Sequence, residues 1–85
     1  MRTKQQELIA IGKRIREARE QQLFSQEDFA EHVGISRSHY GCIERGRFAV
    51  SLPKLLDIAM ALNIEVGELF PSLAELKEIK IKNGQ

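Results

Sequence analysis

The sequence predicts an all-α fold, five helices packed as one small domain with a short C-terminal helical extension. Three observations carry that prediction. Apolar residues recur at helical spacing in segments 4–21 and 52–62. Between them, residues 24–46, FSQEDFAEHVGISRSHYGCIERG, read as two short helices joined by a tight turn. Ser25, Ser36, Ser51 and Ser72 stand where helices would begin, and Gly34 and Gly46 where the two central ones would end.

The first helix, over 4–21, places Leu8, Ile11, Ile15 and Ala18 on one stripe, with Lys13, Arg14, Arg16, Glu17 and Glu20 elsewhere. Gly12 lies beside that stripe at a cost of ~1 kcal/mol in helix propensity relative to Ala, which implies close approach of a neighbouring helix. The second starts at Gln26: Ser25 caps it with Asp28 three positions on, Phe24 and Phe29 form a hydrophobic staple, and Gly34 ends it. The third, capped by Ser36, runs from Arg37 to Arg45. With about 100° per residue, Arg37, Ser38, Gly41, Cys42 and Arg45 share one broad polar or small face, and Tyr40 and Ile43 point to the core.

In the loop 47–51, Phe48 is an aromatic that needs cover, from the loop itself or from a second subunit. Ser51 caps the fourth helix and Pro53 fits its first turn. Leu52, Leu55, Leu56, Ala59 and Leu62 are its expected core residues, and Asn63 ends it. VGELF then gives a last helical turn before Pro71, with Leu69 and Phe70 closing the core or a dimer seam. In the tail, Ser72 and Glu75 make a capping box and Leu73 and Leu76 have helical spacing, although KEIKIK alternates as an edge strand would. We read helix over 72–80. A lone amphipathic tail has little stability of its own, so it must dock on the domain or on a partner chain.

Two capped helices sharing a four-residue joint constitute a helix-turn-helix, whose second helix enters the DNA major groove while the first crosses the backbone. The net charge is only +1, so bulk electrostatics does not announce a nucleic-acid binder. Distribution matters more: between Gly34 and Lys54 the bases Arg37, Arg45, Arg47 and Lys54 face the single acid Glu44. Glu27, Asp28 and Glu31 make the preceding helix acidic. Arg37 is the best candidate for reading bases, because its planar fork bonds guanine O6 and N7 together. Ser38, Gly41 and Cys42 complete the base-facing set. Gln26, Ser36, His39, Arg45, Arg47 and Lys54 are the candidate phosphate contacts.

Residues 8–70 resemble the helix-turn-helix of the lambda and 434 repressors and Cro, the xenobiotic-response-element family. SQEDFAEHVGIS, IERG at Ile43 to Gly46, and SLPKLLDIAMALNI carry the likeness in order and spacing. SRSHYGCIERG is similar to the controller proteins of restriction-modification systems. The resemblance implies a lambda-repressor-like DNA-binding domain over 1–71 with an extension at 72–85. It also implies phosphate contact by Gln26, an ion pair between Arg19 and Glu44, and subunit pairing through the region after residue 62. Leu69, Phe70, Leu73 and Leu76 are the expected dimer residues. Tyr40 departs from the branched aliphatic usual there, so its ring must enlarge the core or carry its hydroxyl to a partner. Small Gly41 and Cys42 replace the long polar readers of some relatives, so no particular operator carries over.

The expected function is that of a transcriptional regulator binding double-stranded DNA as a homodimer on a pseudo-palindromic operator. A protein-interaction module of the same fold, such as an antitoxin acting through its partner, is the alternative. Nothing assembles a nucleophile, an acid-base pair or a cofactor site, so an enzyme is not expected. Lone Cys42 with dispersed His32 and His39 gives no metal-ligand spacing. No effector site is evident, no apolar run approaches the roughly 20 residues of a membrane span, and the charged N-terminus does not read as a signal peptide. The expected location is the cytoplasm, on the nucleoid.

Overall fold

The computed structural model describes residues 3–82; the ends of the expected ranges 1–71 and 72–85, at residues 1–2 and 83–85, lie outside it. Its helices are α1 (Thr3–Gln21), α2 (Gln26–His32), α3 (Arg37–Glu44), α4 (Leu52–Leu62) and α5 (Leu73–Lys82), with a 3₁₀ turn at Val66–Leu69 between the last two. Among the described residues there is no strand, and no helix is long and apolar enough to cross a membrane.

Local chemistry sets the boundaries. The hydroxyls of Ser25, Ser36 and Ser51 accept from the backbone N–H groups of Asp28, His39 and Lys54, each satisfying an otherwise unpaired first-turn donor. Ser72 and Glu75 form a reciprocal capping box. After α2 and α3 the chain turns through Gly34 (φ 73°) and Gly46 (φ 74°), and after α4 through Asn63 (φ 57°). Leu23, which follows α1, also has a left-handed backbone (φ 65°) and is exposed, an unusual place for leucine.

Ile15, Phe29, Ala30, Val33, Tyr40, Ile43, Leu55, Ile58, Ala59, Leu62 and Leu69 form one core drawn from every element except α5. Phe24 and Phe29 meet edge to face, as the staple requires, with centroids 5.2 Å apart. The expected face of α4 needs correction. Leu52 and Leu56 point outward, and Ile58, absent from the expected set, is fully buried, so the inward stripe is Leu55, Ile58, Ala59 and Leu62. That set has the i, i+3, i+4, i+7 spacing of a single helix face.

α1 packs along α3. A Cβ on Gly12 would lie 2.4 Å from the carbonyl oxygen of Glu44, and one on Gly46 would lie 2.6 Å from Cα of Ile9, so the two glycines let the backbones meet. The tail is helical throughout KEIKIK and docks on α1, where Arg14 Nη2 donates to Glu75 Oε1 at 2.5 Å.

Candidate nucleic-acid interface

The position of α3 is fixed from its inner side and its C-terminal end. Tyr40 and Ile43 are buried in the core, and Glu44, its last residue, is buried with them. The Glu44 carboxylate collects four donated hydrogen bonds. Arg19 Nε reaches Oε2 at 2.6 Å and Arg19 Nη2 reaches Oε1 at 3.2 Å; Gln26 Nε2 donates to Oε1 at 2.9 Å, and the Tyr40 hydroxyl donates to Oε2. Arg19 Nη1 also donates to the carbonyl of Phe24 at 2.8 Å. Burial opposes ionisation of Glu44, yet the bonds from Arg19, Tyr40 and Gln26 outweigh it and hold the carboxyl below its usual range. The bond to Glu44 pushes the Arg19 guanidinium up, and burial with donation to Glu44 pushes the Tyr40 phenol far up. The group is thus an ionised carboxylate and guanidinium with a neutral phenol.

Tyr40 resolves its two sequence options in favour of both: its ring is fully buried in the core and its hydroxyl finds a partner. That partner lies four residues on, a spacing visible in the sequence once Glu44 is known to face inward. Gln26 is the unexpected member. It was a candidate phosphate contact, and its amide nitrogen is already bonded to Glu44, leaving one N–H for another acceptor.

The outer face of α3 has the opposite character. Gln26, Arg37, Ser38, Gly41, Cys42 and Arg45 line one open cleft, which contains all four expected base-facing residues. Arg37, Ser38 and Arg45 are exposed; Gly41 is buried and Cys42 half-buried. Among the described residues, no carboxylate pairs with Arg37, Arg45 or Arg47.

The expected phosphate contacts divide into groups. Ser36, His39 and Lys54 line a second cleft with Ser51, between the starts of α3 and α4. Lys54 Nζ donates to the carbonyl of Val33 at 2.9 Å, closing the end of α2, and lies 3.6 Å from Asp57, which leaves it only partly available to an anion. Arg47 lines neither cleft. The stacking of His39 on half-exposed Phe48, with centroids 5.0 Å apart, has no counterpart among the sequence expectations.

Of the expected dimer residues, Leu69 is fully buried in its own domain and unavailable to a partner, because the 3₁₀ turn carries it under α4 and α1. Phe70 and Leu73 are exposed, and Leu76 is half-buried.

A helix-turn-helix family model, HTH_3, matches residues 15–69. The chain belongs to this family. Two relatives resemble it over most of their own length. The control protein C.MunI from Mycoplasma sp is 35% identical over 66 residues, covering 76% of this chain and 89% of that protein. The HTH-type transcriptional regulator YazB from Bacillus subtilis is 45% identical over 60 residues, covering 71% and 87%. The crystal structure of the restriction-modification controller protein C.AhdI from Aeromonas hydrophila superposes with a TM-score of 0.70 at 46% identity, covering 74% of this chain and 91% of that one. Family membership varies in size: this chain spans only 29% of the HTH-type regulator y4dL from Sinorhizobium fredii. The family supplies the DNA-binding helix-turn-helix fold of transcriptional regulators, in which α2 and α3 are the motif and 33–36 its turn.

Proposed function

We propose that the protein is a sequence-specific regulator that binds double-stranded DNA as a homodimer, with α3 of each subunit in successive major grooves of a pseudo-palindromic operator. The observation that carries this reading is the two-sidedness of α3. Its inner side is locked by Tyr40, Ile43 and Glu44, and its outer side presents Arg37 and Arg45 with no acidic partner among the described residues. Arg37 reads bases, with Ser38, Gly41 and Cys42 beside it. Ser36, His39 and Lys54, the remaining N–H of Gln26, and Arg47 bind phosphates on either side of the groove. The likeness to the control protein C.MunI and the restriction-modification controller protein C.AhdI supports a role as a controller protein of a restriction-modification system.

The dimer surface is the outer stripe of α4. Leu52, Leu56 and Met60 lie four residues apart on one helix face and are all exposed, and Leu56 and Met60 border a groove continued by Ile64 and Val66. A two-fold interface needs a patch that complements itself, and an apolar stripe along a helix meets that need against its own copy. Exposed Phe70 and Leu73 and half-buried Leu76 remain further candidates for subunit contact, whereas Leu69 is buried.

Selection from a random duplex library on the purified protein, with its size in solution recorded, tests the proposal. The expected product is an inverted repeat with half-site centres about one helical turn apart. Weak binding to all duplexes that disappears as salt rises, with no enriched repeat, would overturn it and favour a protein-binding module.

A further inference from the structure

The outer face of α3 holds one arrangement beyond these assignments. Arg45 follows the last helical residue of α3, a position from which a long side chain would ordinarily reach past the helix end to the DNA backbone. Its side chain folds back along the helix instead. Nη2 lies 3.5 Å from Cys42 Sγ, and a Cβ added at Gly41 would lie 3.1 Å from Nη1 and 3.8 Å from Cζ and Nη2. Gly41 is buried and the guanidinium of Arg45 lies over it, so a side chain at 41 would press on that seat. The guanidinium therefore shares the cleft of Arg37, Ser38 and Cys42.

We infer that Arg45 is a second base-reading residue, seated by Gly41, which donates two N–H groups to O6 and N7 of a guanine on a base pair other than the one Arg37 reads. This rests on the DNA-binding reading above and changes the part Arg45 plays in it. Residues 37 and 41 are separated by about 6 Å along a helix axis, and stacked base pairs by about 3.4 Å. With α3 along the groove, the two guanidinium groups address bases roughly two steps apart. Two donors in a fixed fork suit guanine, and a lysine ammonium at the same place would supply the charge without the fork. Glycine at 41 is then a specificity device: it sacrifices a side chain of its own so that a longer one, anchored four residues on, enters the groove.

The test compares library selections by the wild-type protein and by Arg45→Lys, Gly41→Ala and Arg37→Ala, each shown to be folded by thermal melting. Arg45→Lys preserves the charge, so the salt dependence of binding stays, while preference at one base pair per half-site falls by about 5- to 150-fold. Gly41→Ala presses on the guanidinium by a few tenths of an ångström and weakens preference at that same base pair, by less than Arg45→Lys does. Arg37→Ala flattens a different one. Wild-type preference retained at every position by Arg45→Lys would make Arg45 a phosphate contact and overturn the inference alone. Loss at the very position that Arg37→Ala flattens would also overturn it, making Arg45 a support for Arg37. A wild-type protein that enriches no sequence would overturn the DNA-binding reading itself, and the inference with it.

Discussion

Gly12→Ala adds one methyl group and should disturb both stability and DNA binding. The added Cβ would sit 2.4 Å from the carbonyl oxygen of Glu44, 2.5 Å from that of Ile43 and 2.8 Å from the Glu44 carbonyl carbon. Carbon and oxygen approach comfortably only to about 3.3 Å, so α1 and the end of α3 must part by nearly 1 Å. Both sides of the contact are helical backbone, and no side chain can swing aside. Overpacking of this kind costs about 1–3 kcal/mol, and the better helix propensity of alanine returns ~1 kcal/mol at most. Taking the upper part of that range, the net loss is about 2 kcal/mol, or a fall in Tm of about 8–16 °C for a domain of this size. Any separation also draws Glu44 away from Arg19, which should shift the outer face of α3 and weaken the proposed DNA binding. Thermal melting followed by circular dichroism measures the first effect and duplex titration the second. Gly67→Ala is the control, since nothing lies within 4 Å of its added Cβ. A Gly12→Ala protein that melts at or above the wild-type temperature would refute the close contact between α1 and α3.

Arg19→Ala leaves the Glu44 carboxylate buried with only Tyr40 and Gln26 donating, and should cost about 3–5 kcal/mol in urea unfolding. An unchanged midpoint would mean that the pair locks nothing. Because the folded Glu44 carboxyl lies below its unfolded value of about 4.3, its contribution is complete above that pH and is lost as pH falls through the lower folded value. Unfolding measured from pH 7 to pH 3 should therefore show a decline that Glu44→Gln flattens; parallel profiles would remove Glu44 from the acid response. Met60→Glu puts a charge on the proposed dimer stripe and should give monomers in sedimentation, with a Tm lowered by the lost association and no longer dependent on protein concentration, whereas Leu69→Ala should lower stability by about 2–5 kcal/mol. An intact Met60→Glu dimer would move the interface elsewhere.

Features written into short stretches of chain were legible in the sequence. Each serine cap needs only the backbone three residues on, and Gly34 and Gly46 need only their own φ, so the edges of α2 and α3 follow from neighbouring residues. The face of α4 was less so. Leu52, Leu55, Leu56, Ala59 and Leu62 form one helical stripe and Leu55, Ile58, Ala59 and Leu62 another, rotated slightly; the surface that α1 and the 3₁₀ turn offer decides between them. Leu69 stood open between core and dimer seam for the same reason, since an apolar residue in a short turn is equally suited to either, and its burial decides for the core. The cleft containing Arg37, Ser38, Gly41 and Cys42 follows from helix geometry alone. The bond from Gln26 to Glu44 does not, because it joins residues 18 apart through a fold that periodicity does not describe.

That bond shows how this small domain holds α3, the helix proposed to read DNA. One carboxylate, at the last residue of α3, takes donors from α1 through Arg19, from the start of α2 through Gln26, and from α3 itself through Tyr40. Hydrogen bonds to a charge are directional as well as strong, so the end of α3 is held in position and in rotation about its own axis. Apolar contacts from Tyr40 and Ile43 bury the same helix without fixing its rotation so narrowly, since they depend on area more than on angle. Gly12 and Gly46 bring the α1 backbone against that same end. The anchoring is thus concentrated at the C-terminal end of α3, and Arg37 and Ser38 project from the opposite end, held by the Ser36 cap and the turn at Gly34. A small angular error at the anchor grows along the helix toward those side chains, and a polar lock at Glu44 limits that angle where apolar packing would leave it loose.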